Sequence, residues 1–288
     1  MKPALLGARL HGFLPASILR PLRQVIRGAC YGIGWILYQS PKREQYLHGA
    51  LCNQKRTLLE HIMAVYFFSH RFYLDVSRYR SEVIGKSPVG DAWLEVYRSR
   101  RATAADDFRE QLELLGEAIR MVQAKKVLQV GCGSGGELWV LAQRFPGVEF
   151  VGLDLNDTII RRNATELQGM SNLRWLAGDV FATDYLEREC ADLVFTSGAA
   201  EYFAERELET FLERTKRAGT KGVCFYESVT QIGFDYHTSD CSTTRGMMAF
   251  NHPYGKKLRA AGAQVVQDRL VGNENNPYVV NALSLGCF

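Results

Sequence analysis

Glycines that directly follow a run of apolar residues near the middle of the chain give the clearest chemical signal in the sequence. Val127, Leu128 and Val130 are typical of a buried strand, and the segment GCGSGGE begins at Gly131. Glycine permits a tight backbone turn and lets a ligand approach the main chain without meeting a Cβ atom. A helix that starts after the glycines offers free N–H groups and the positive end of its dipole. The segment therefore predicts a loop that cradles a nucleoside cofactor, with a ligand-free turn as the alternative.

A carboxylate follows these glycines at the spacing expected for a ribose ligand. Asp154 ends the apolar run VGLD, about 20 residues beyond the glycines. From the end of a second strand, a carboxylate can accept hydrogen bonds from both ribose hydroxyls. The alternative is helix capping, but Asn156 and Asp157 are better placed to cap the next helix. We therefore predict that Asp154 binds the ribose.

Two later segments end predicted strands in residues suited to ligand contact. Asp179 lies in the run LAGDVF, where it can accept a hydrogen bond from an adenine amino group while Val180 or Phe181 packs on the ring. A Gly-Asp pair is equally a common turn. The run DLVFTSG ends in small residues, which include Thr196 and Ser197. Small side chains there leave room for a ligand, or for a closely packed helix.

A parallel sheet would bring these segments together, and the sequence after residue 124 has the pattern of one. Strands are predicted at 126–130, 149–154, 173–177, 192–196, 222–227, 264–270 and 278–285. Helices are predicted at 104–123, 136–144, 158–167, 205–217 and 254–261. Alternating strands and helices indicate a parallel sheet with helices on both faces. The gap between the last two strands is too short for a crossover helix, which makes that pair antiparallel.

In this order and spacing, the four segments resemble the class I S-adenosylmethionine-dependent methyltransferases over residues 105–288. The resemblance implies an α/β fold: a seven-stranded, mostly parallel Rossmann-like sheet with an antiparallel last strand, preceded by a helical N-terminal region. It implies S-adenosylmethionine as the cofactor. Gln129 departs from the family, which often has an acid there. The cofactor-binding residues that the resemblance implies are Gln129, Gly131, Cys132, Gly133, Asp154, Leu155, Asp179, Val180 and Ser197.

The reaction implied is methyl transfer to a small-molecule, sugar or lipid-like acceptor, with oxygen as the expected acceptor atom. A hydroxyl acceptor usually needs a base. His252, in the run FNHPY before a helix, is the first candidate, and His237, in FDYHTSD, is the second. The alternative for His252 is a structural role at the helix entry beside Pro253. Weaker candidates for the base are Glu201, Tyr202, Glu227 and Tyr236.

Two other functions share parts of this pattern. Gly131, Gly133 and Gly136 also satisfy G-x-G-x-x-G, which an NAD(P)-dependent Rossmann oxidoreductase would carry. The charge missing at Gln129 leaves open a non-catalytic protein that only binds S-adenosylmethionine. His and acidic residues form no metal-ligand pattern, and no catalytic metal is expected.

The first part of the chain differs from the rest in charge. Residues 1–43 contain seven Lys or Arg and no Asp or Glu, although the whole chain carries only +4. We predict a helical region at 1–104 and a methyltransferase domain at 105–288. The basic segment is interpreted as a helical cap over the acceptor, with a peripheral membrane surface or a targeting segment as alternatives.

Composition bounds the location and the partners of the protein. Seven scattered cysteines without a C-x-x-C pair favour a reduced, cytoplasmic protein, with membrane association through residues 1–43 as the alternative. The basic and aromatic residues of 67–97 are mixed with acids and match no RNA-binding motif. A small-molecule acceptor is therefore expected, and nucleic acid is not. The sequence leaves the oligomeric state open.

Overall fold

The structure, a computed structural model, describes residues 25–26, 28–30, 32–37, 40–42, 57–63, 109–230, 234–245, 249–272 and 279–288. The chain divides into two units, Met1–Asp75 and Val76–Phe288. In the first unit, residues 25–26, 28–30, 32–37 and 58–63 are helical. Residues 64–108 lie outside the described part, so the boundary at 104/105 and the segment 67–97 stay predictions. Among the described helices, none has the length and apolar character to cross a membrane.

The second unit is built on one large sheet with helices on both faces. Its elements are α1 (Arg109–Met121), β1 (Lys126–Val130), α2 (Gly136–Arg144), β2 (Glu149–Asp154), α3 (Asp157–Glu166), β3 (Leu173–Ala177), α4 (Tyr185–Glu189), β4 (Leu193–Ser197), a 3-10 turn (Ala200–Tyr202), α5 (Glu205–Arg217), β5 (Gly222–Thr230), β6 (Thr243–Arg245), β7 (Ala249–Asn251), α6 (Tyr254–Ala260), β8 (Gln264–Val271) and β9 (Val279–Cys287). Strands β6 and β7 pair as a separate hairpin.

The strand order of the large sheet is β3-β2-β1-β4-β5-β9-β8. Strands β1 to β5 pair in parallel. Strand β9 is antiparallel to both of its neighbours, β5 and β8. The predicted fold class, a seven-stranded and mostly parallel sheet with an antiparallel last strand, is confirmed. Because the order reverses between β1 and β4, these two strands end at the crevice where ligands bind in open α/β sheets.

Most predicted elements are present with bounds that shift by at most a few residues. The helices α2 and α5 begin and end where the sequence predicts them. Helix α4 and the β6–β7 hairpin were not predicted. Their five and three residues per element are too short to display a periodic pattern.

The central strands β1, β2, β4 and β5 are largely buried on both faces, and their carboxyl ends meet at one edge of the sheet. Strand residues alternate between two apolar clusters, one under α1 and α2 and one under α5 and α6. In β2, Gly152 leaves room for the indole of Trp175 on β3, because a Cβ there would lie 2.5 Å from the ring. We call the edge where β1, β2, β4 and β5 end the carboxyl edge.

Candidate active site

The glycine loop, residues 131–135, connects β1 to α2 at the carboxyl edge. Gly131, Gly133 and Gly135 all have positive φ, at +75°, +50° and +72°. A Cβ at Gly131 would lie 2.3 Å from the Cβ of Ala199, so this glycine allows the loop to pack against the segment after β4. A Cβ at Gly133 would meet no atom of the described residues within 4 Å. The loop is therefore packed at its start and faces open space at Gly133.

Asp154 ties the end of β2 to this loop. Its Oδ2 accepts the Gly133 N–H at 2.9 Å, and its Oδ1 accepts the Asn156 N–H at 2.9 Å. Burial raises the pKa of Asp154. Asn156 caps α3, with its Oδ1 accepting the N–H groups of Thr158 and Ile159 at 3.0 and 3.2 Å. The structure thus brings Asp154 to the glycine loop and gives the capping role to Asn156.

The backbone of the glycine loop is also held by hydrogen bonds to β2 and α3. The N–H groups of Gly131 and Cys132 both donate to the Leu153 carbonyl, at 2.8 and 3.1 Å. Asn163 Nδ2 donates to the Gly133 carbonyl at 2.7 Å. The Cys132 thiol is buried, and burial together with the Asp154 charge raises its pKa. Cys132 therefore stays a thiol and contributes to the loop through its backbone.

A buried carboxylate that sequence reasoning missed, Glu137, lies in the first turn of α2. Its Oε1 accepts hydrogen bonds from Gln111 Nε2 at 2.7 Å and from Ser197 Oγ at 2.8 Å. Its Oε2 accepts a hydrogen bond from Gln129 Nε2. Burial raises the pKa of Glu137. Two of the predicted cofactor residues, Gln129 and Ser197, are thus joined through Glu137.

Glu227, near the end of β5, holds the segment that follows β4. Its side chain is fully buried and accepts the N–H groups of Ala199, Ala200 and Glu201 at 3.2, 3.1 and 3.2 Å. Burial and the nearby Glu201 raise its pKa to about 8. Gly198, just before this segment, has φ +65° and open space where a Cβ would stand. Glu227, a weaker base candidate from the sequence, thus has the contacts of a loop anchor.

The predicted adenine contacts differ in their placement. Asp179 Oδ1 accepts the Phe181 N–H at 2.8 Å, so this carboxylate closes a turn. Val180 is buried in the apolar cluster under α5, and its carbonyl accepts a hydrogen bond from Arg214 Nη1 at 2.6 Å. Its side chain therefore belongs to the core. Leu155 is half-buried beside Asp154.

The two candidate bases lie in different environments. His252 is fully buried, with Nδ1 2.7 Å from Ser242 Oγ and Nε2 3.1 Å from the Phe203 carbonyl. Burial lowers its pKa to about 4, so the ring is neutral near pH 7. These contacts fit the structural alternative for His252, because both nitrogens are engaged. His237 is exposed on a turn capped by Asp235 Oδ1.

Two of the remaining base candidates, Tyr236 and Glu201, are buried. Tyr236 is buried, and its hydroxyl lies 2.7 Å from Asp268 Oδ1 and 2.6 Å from Ser284 Oγ. Glu201 is buried next to Glu227. Among the described residues, no group of three or more His, Cys, Asp or Glu side chains forms a metal site.

A groove of about 580 Å³ lies away from these residues, between the turn after β3 and α5. Its walls include Phe181, Glu187, Arg206 and Arg214, and none of the predicted cofactor residues lines it. Arg214 and Glu187 bind each other there through two hydrogen bonds. We therefore place the candidate site at the glycine loop and not in this groove.

Comparison with known proteins agrees with the motifs and the strand order. A family model described as a methyltransferase domain matches residues 127–222. The chain is 29% identical over 100 residues to trans-aconitate 2-methyltransferase of Delftia acidovorans, covering 34% of this chain and 36% of the relative. It is 30% identical over 115 residues to tRNA (guanine-N(7)-)-methyltransferase of Porphyromonas gingivalis, covering 38% and 44%. The chain thus spans less than half the length of either relative.

A solved structure gives the same fold. The O-methyltransferase family protein from Burkholderia thailandensis superposes with a TM-score of 0.53 at 14% identity, over 84% of this chain and 75% of that protein. At this identity, the likeness concerns the fold alone. The matched family model assigns a methyltransferase domain to residues 127–222, and the ordered motifs and the strand order are those of the class I S-adenosylmethionine-dependent methyltransferases.

Proposed function

We propose that this protein transfers the methyl group of S-adenosylmethionine to an oxygen of a small-molecule, sugar or lipid-like acceptor. The observation that carries the proposal is the junction of Asp154 with Gly133, next to open space at the carboxyl edge. The residues that would hold the cofactor are the glycine loop, Asp154, Leu155 and Ser197. When bound, the cofactor supplies a methyl group already activated by a sulfonium. The chain then has to position the acceptor and accept its proton.

Charge at the glycine loop favours this cofactor over a dinucleotide. A Rossmann dehydrogenase places the pyrophosphate of NAD(P) at the N-terminus of the helix after the loop. Here Glu137 lies buried in the first turn of that helix, and the Gly133 N–H already donates to Asp154. Buried carboxylates at this point repel a diphosphate and attract a cation. S-adenosylmethionine carries a sulfonium and an ammonium, which suits such a site.

The proton of the acceptor needs an accessible base, and the two candidate histidines differ in exposure. His237 is proposed as the proton acceptor because it is exposed in the segment after β5, whereas His252 is enclosed. A small acceptor agrees with the name of one relative, trans-aconitate 2-methyltransferase. The name of the other relative specifies a nitrogen of tRNA, so the acceptor class has to be tested directly.

Calorimetric titration of the full chain with S-adenosylmethionine, S-adenosylhomocysteine and NAD tests the cofactor. We expect the two adenosyl compounds to bind and NAD not to bind. Binding of NAD alone would overturn the proposal. Transfer of a labelled methyl group to hydroxyl-bearing acceptors is then expected, and binding without transfer to any acceptor tested would support the non-catalytic alternative.

We also propose that the basic N-terminal segment lies on an anionic membrane surface. In the helical residues between 25 and 37, Val25, Ile26, Ile33 and Ile36 are 69%, 52%, 45% and 63% exposed. Apolar residues exposed on a helix within a segment that has seven basic and no acidic residues fit a charged lipid interface. Co-sedimentation with phosphatidylglycerol vesicles, but not with phosphatidylcholine vesicles, is expected. Equal sedimentation with both kinds of vesicle would contradict the proposal. It would also be contradicted if Ile33→Ser and Ile36→Ser each sediment as much as the unaltered chain.

A further inference from the structure

The carboxylate of Glu137 is buried without a positive partner among the described residues. The residue is 8% exposed, and its three donors, Gln111, Gln129 and Ser197, are all neutral. Among the described residues, Glu227 is likewise buried and held by backbone N–H groups, whereas two other carboxylates of the same unit have cations. Glu189 pairs with Arg174 and Lys126, and Glu205 pairs with Lys257. Burying a carboxylate without a cation is costly, and the carboxylate is therefore suited to a cation from outside the chain.

Two orphaned oxygens lie in the same network. Gln111 and Gln129 are each 1% exposed, and each donates its amide N–H to Glu137. The Oε1 atoms of both side chains are buried and have no hydrogen-bond donor among the residues that the structure describes. A buried acceptor left without a donor is destabilising, because it has lost the hydrogen bond that it would make with water. The network thus has a surplus of acceptors and one negative charge. An ammonium, with three N–H donors and one positive charge, has the complementary chemistry.

The network adjoins the candidate cofactor site on three elements. Gln129 lies in β1 two residues before Gly131, Glu137 lies in the first turn of α2, and Ser197 ends β4. These are the elements that meet at the glycine loop. We propose that Glu137 is the residue that recognises the ammonium of the cofactor's amino-acid part. Gln111 and Gln129 hold the carboxylate of Glu137 in place through their amide N–H groups. This inference rests on the proposed function.

In this chain, the negative charge next to the glycine loop lies on Glu137 of α2 and not on a residue of β1. Gln129 occupies the strand position and is neutral, but its side chain is hydrogen-bonded to Glu137. Exchanging the two residues therefore moves the negative charge along one hydrogen bond while keeping the number of atoms almost the same. This gives a direct test of the charge that is separate from a test of packing.

The test compares two ligands on the full chain by calorimetry. S-adenosylhomocysteine carries the ammonium, and 5′-methylthioadenosine has the same adenosine and a thioether but no amino-acid group. Glu137→Gln keeps the size of the side chain and removes its charge. We expect it to weaken S-adenosylhomocysteine binding about 10- to 100-fold, as for a lost charge-assisted hydrogen bond, and to leave 5′-methylthioadenosine within about twofold. Glu213→Gln, the same change on the exposed face of α5, is the matched control.

The double variant Gln129→Glu with Glu137→Gln is expected to recover most of the lost affinity for S-adenosylhomocysteine. Thermal unfolding of each ligand-free variant reports on folding independently. If Glu137→Gln weakens both ligands equally, or neither, Glu137 is only structural and the inference is overturned. If the unaltered chain binds neither ligand, the proposed function itself fails, and the two failures are distinguishable.

Discussion

Replacing Gly131 by alanine tests whether the glycine loop depends on backbone freedom and on close packing. The backbone at Gly131 has φ +75°, and an alanine held there costs about 1–2 kcal/mol in the left-handed region. The added Cβ would also lie 2.3 Å from the Cβ of Ala199, far inside van der Waals contact. Relieving such overpacking costs about 1–3 kcal/mol. We therefore expect Gly131→Ala to lower the free energy of unfolding by about 2–5 kcal/mol.

Gly198→Ala separates the two contributions. Gly198 has a similar φ of +65°, but a Cβ there meets no atom of the described part of the chain within 4 Å, so only the conformational cost of about 1–2 kcal/mol is expected. Adding Ala199→Gly to Gly131→Ala removes the atom that clashes, and the pair should cost about 1–3 kcal/mol less than the sum of the single changes. Denaturant unfolding of the full chain, followed by circular dichroism, measures all four variants. Equal losses in Gly131→Ala and Gly198→Ala, with no coupling to residue 199, would refute the packing argument.

Three further predictions have defined outcomes. Burial holds the pKa of His252 at about 4 instead of 6.5, so the unfolded chain binds a proton first as pH falls. The free energy of unfolding should therefore decrease from pH 6.5 towards 4. Denaturation curves of His252→Asn should lack this part of the pH dependence. Burial raises the pKa of Glu227 to about 8 from 4.5, so the unfolded chain loses its proton first as pH rises. The free energy of unfolding should therefore fall as pH rises from 4.5 towards 8. If the free energy of unfolding of Glu227→Gln falls with the same slope, this prediction is wrong. Asn156→Ala should cost about 1 kcal/mol by removing the α3 cap, and chemical denaturation should show a smaller loss for Asp157→Ala at the exposed next position.

The position of the carboxyl edge follows from local sequence. Buried strands must be apolar on both faces, and glycines must stand where the chain turns sharply at a strand end. Both signals are contiguous along the chain, and the strand ends at Val130 and Asp154 were predicted at the residue where the structure has them. The β8–β9 pairing is equally local, because a short connection permits only an antiparallel pair.

The side-chain networks follow from contacts between distant residues, which no spacing rule contains. His252 is enclosed by Ser242 and by Phe203, the latter 49 positions earlier in the chain. The FNHPY pattern therefore identifies an aromatic setting for His252 but not its burial. Glu137 receives hydrogen bonds from residues 26 and 60 positions away. An acid in a first helical turn is ordinarily a solvated partner of the helix dipole, which explains why the sequence alone did not single it out.

The donors that hold the acids at the glycine loop affect how strongly a charged ligand binds there. At the loop, Glu137 and Asp154 are bound by amide, hydroxyl and backbone donors, whereas Glu187 and Glu205, farther out, are bound by Arg214 and Lys257. Neutral donors orient a carboxylate without cancelling its charge, so a cation bound nearby is stabilised more than a neutral ligand of the same shape. The methylated sulfonium is cationic and the thioether left after transfer has lost that charge. The ammonium proposed to bind Glu137 remains on the product, so on the proposed function Glu137 contributes equally to the binding of cofactor and product, and only the sulfonium charge distinguishes the two ligands.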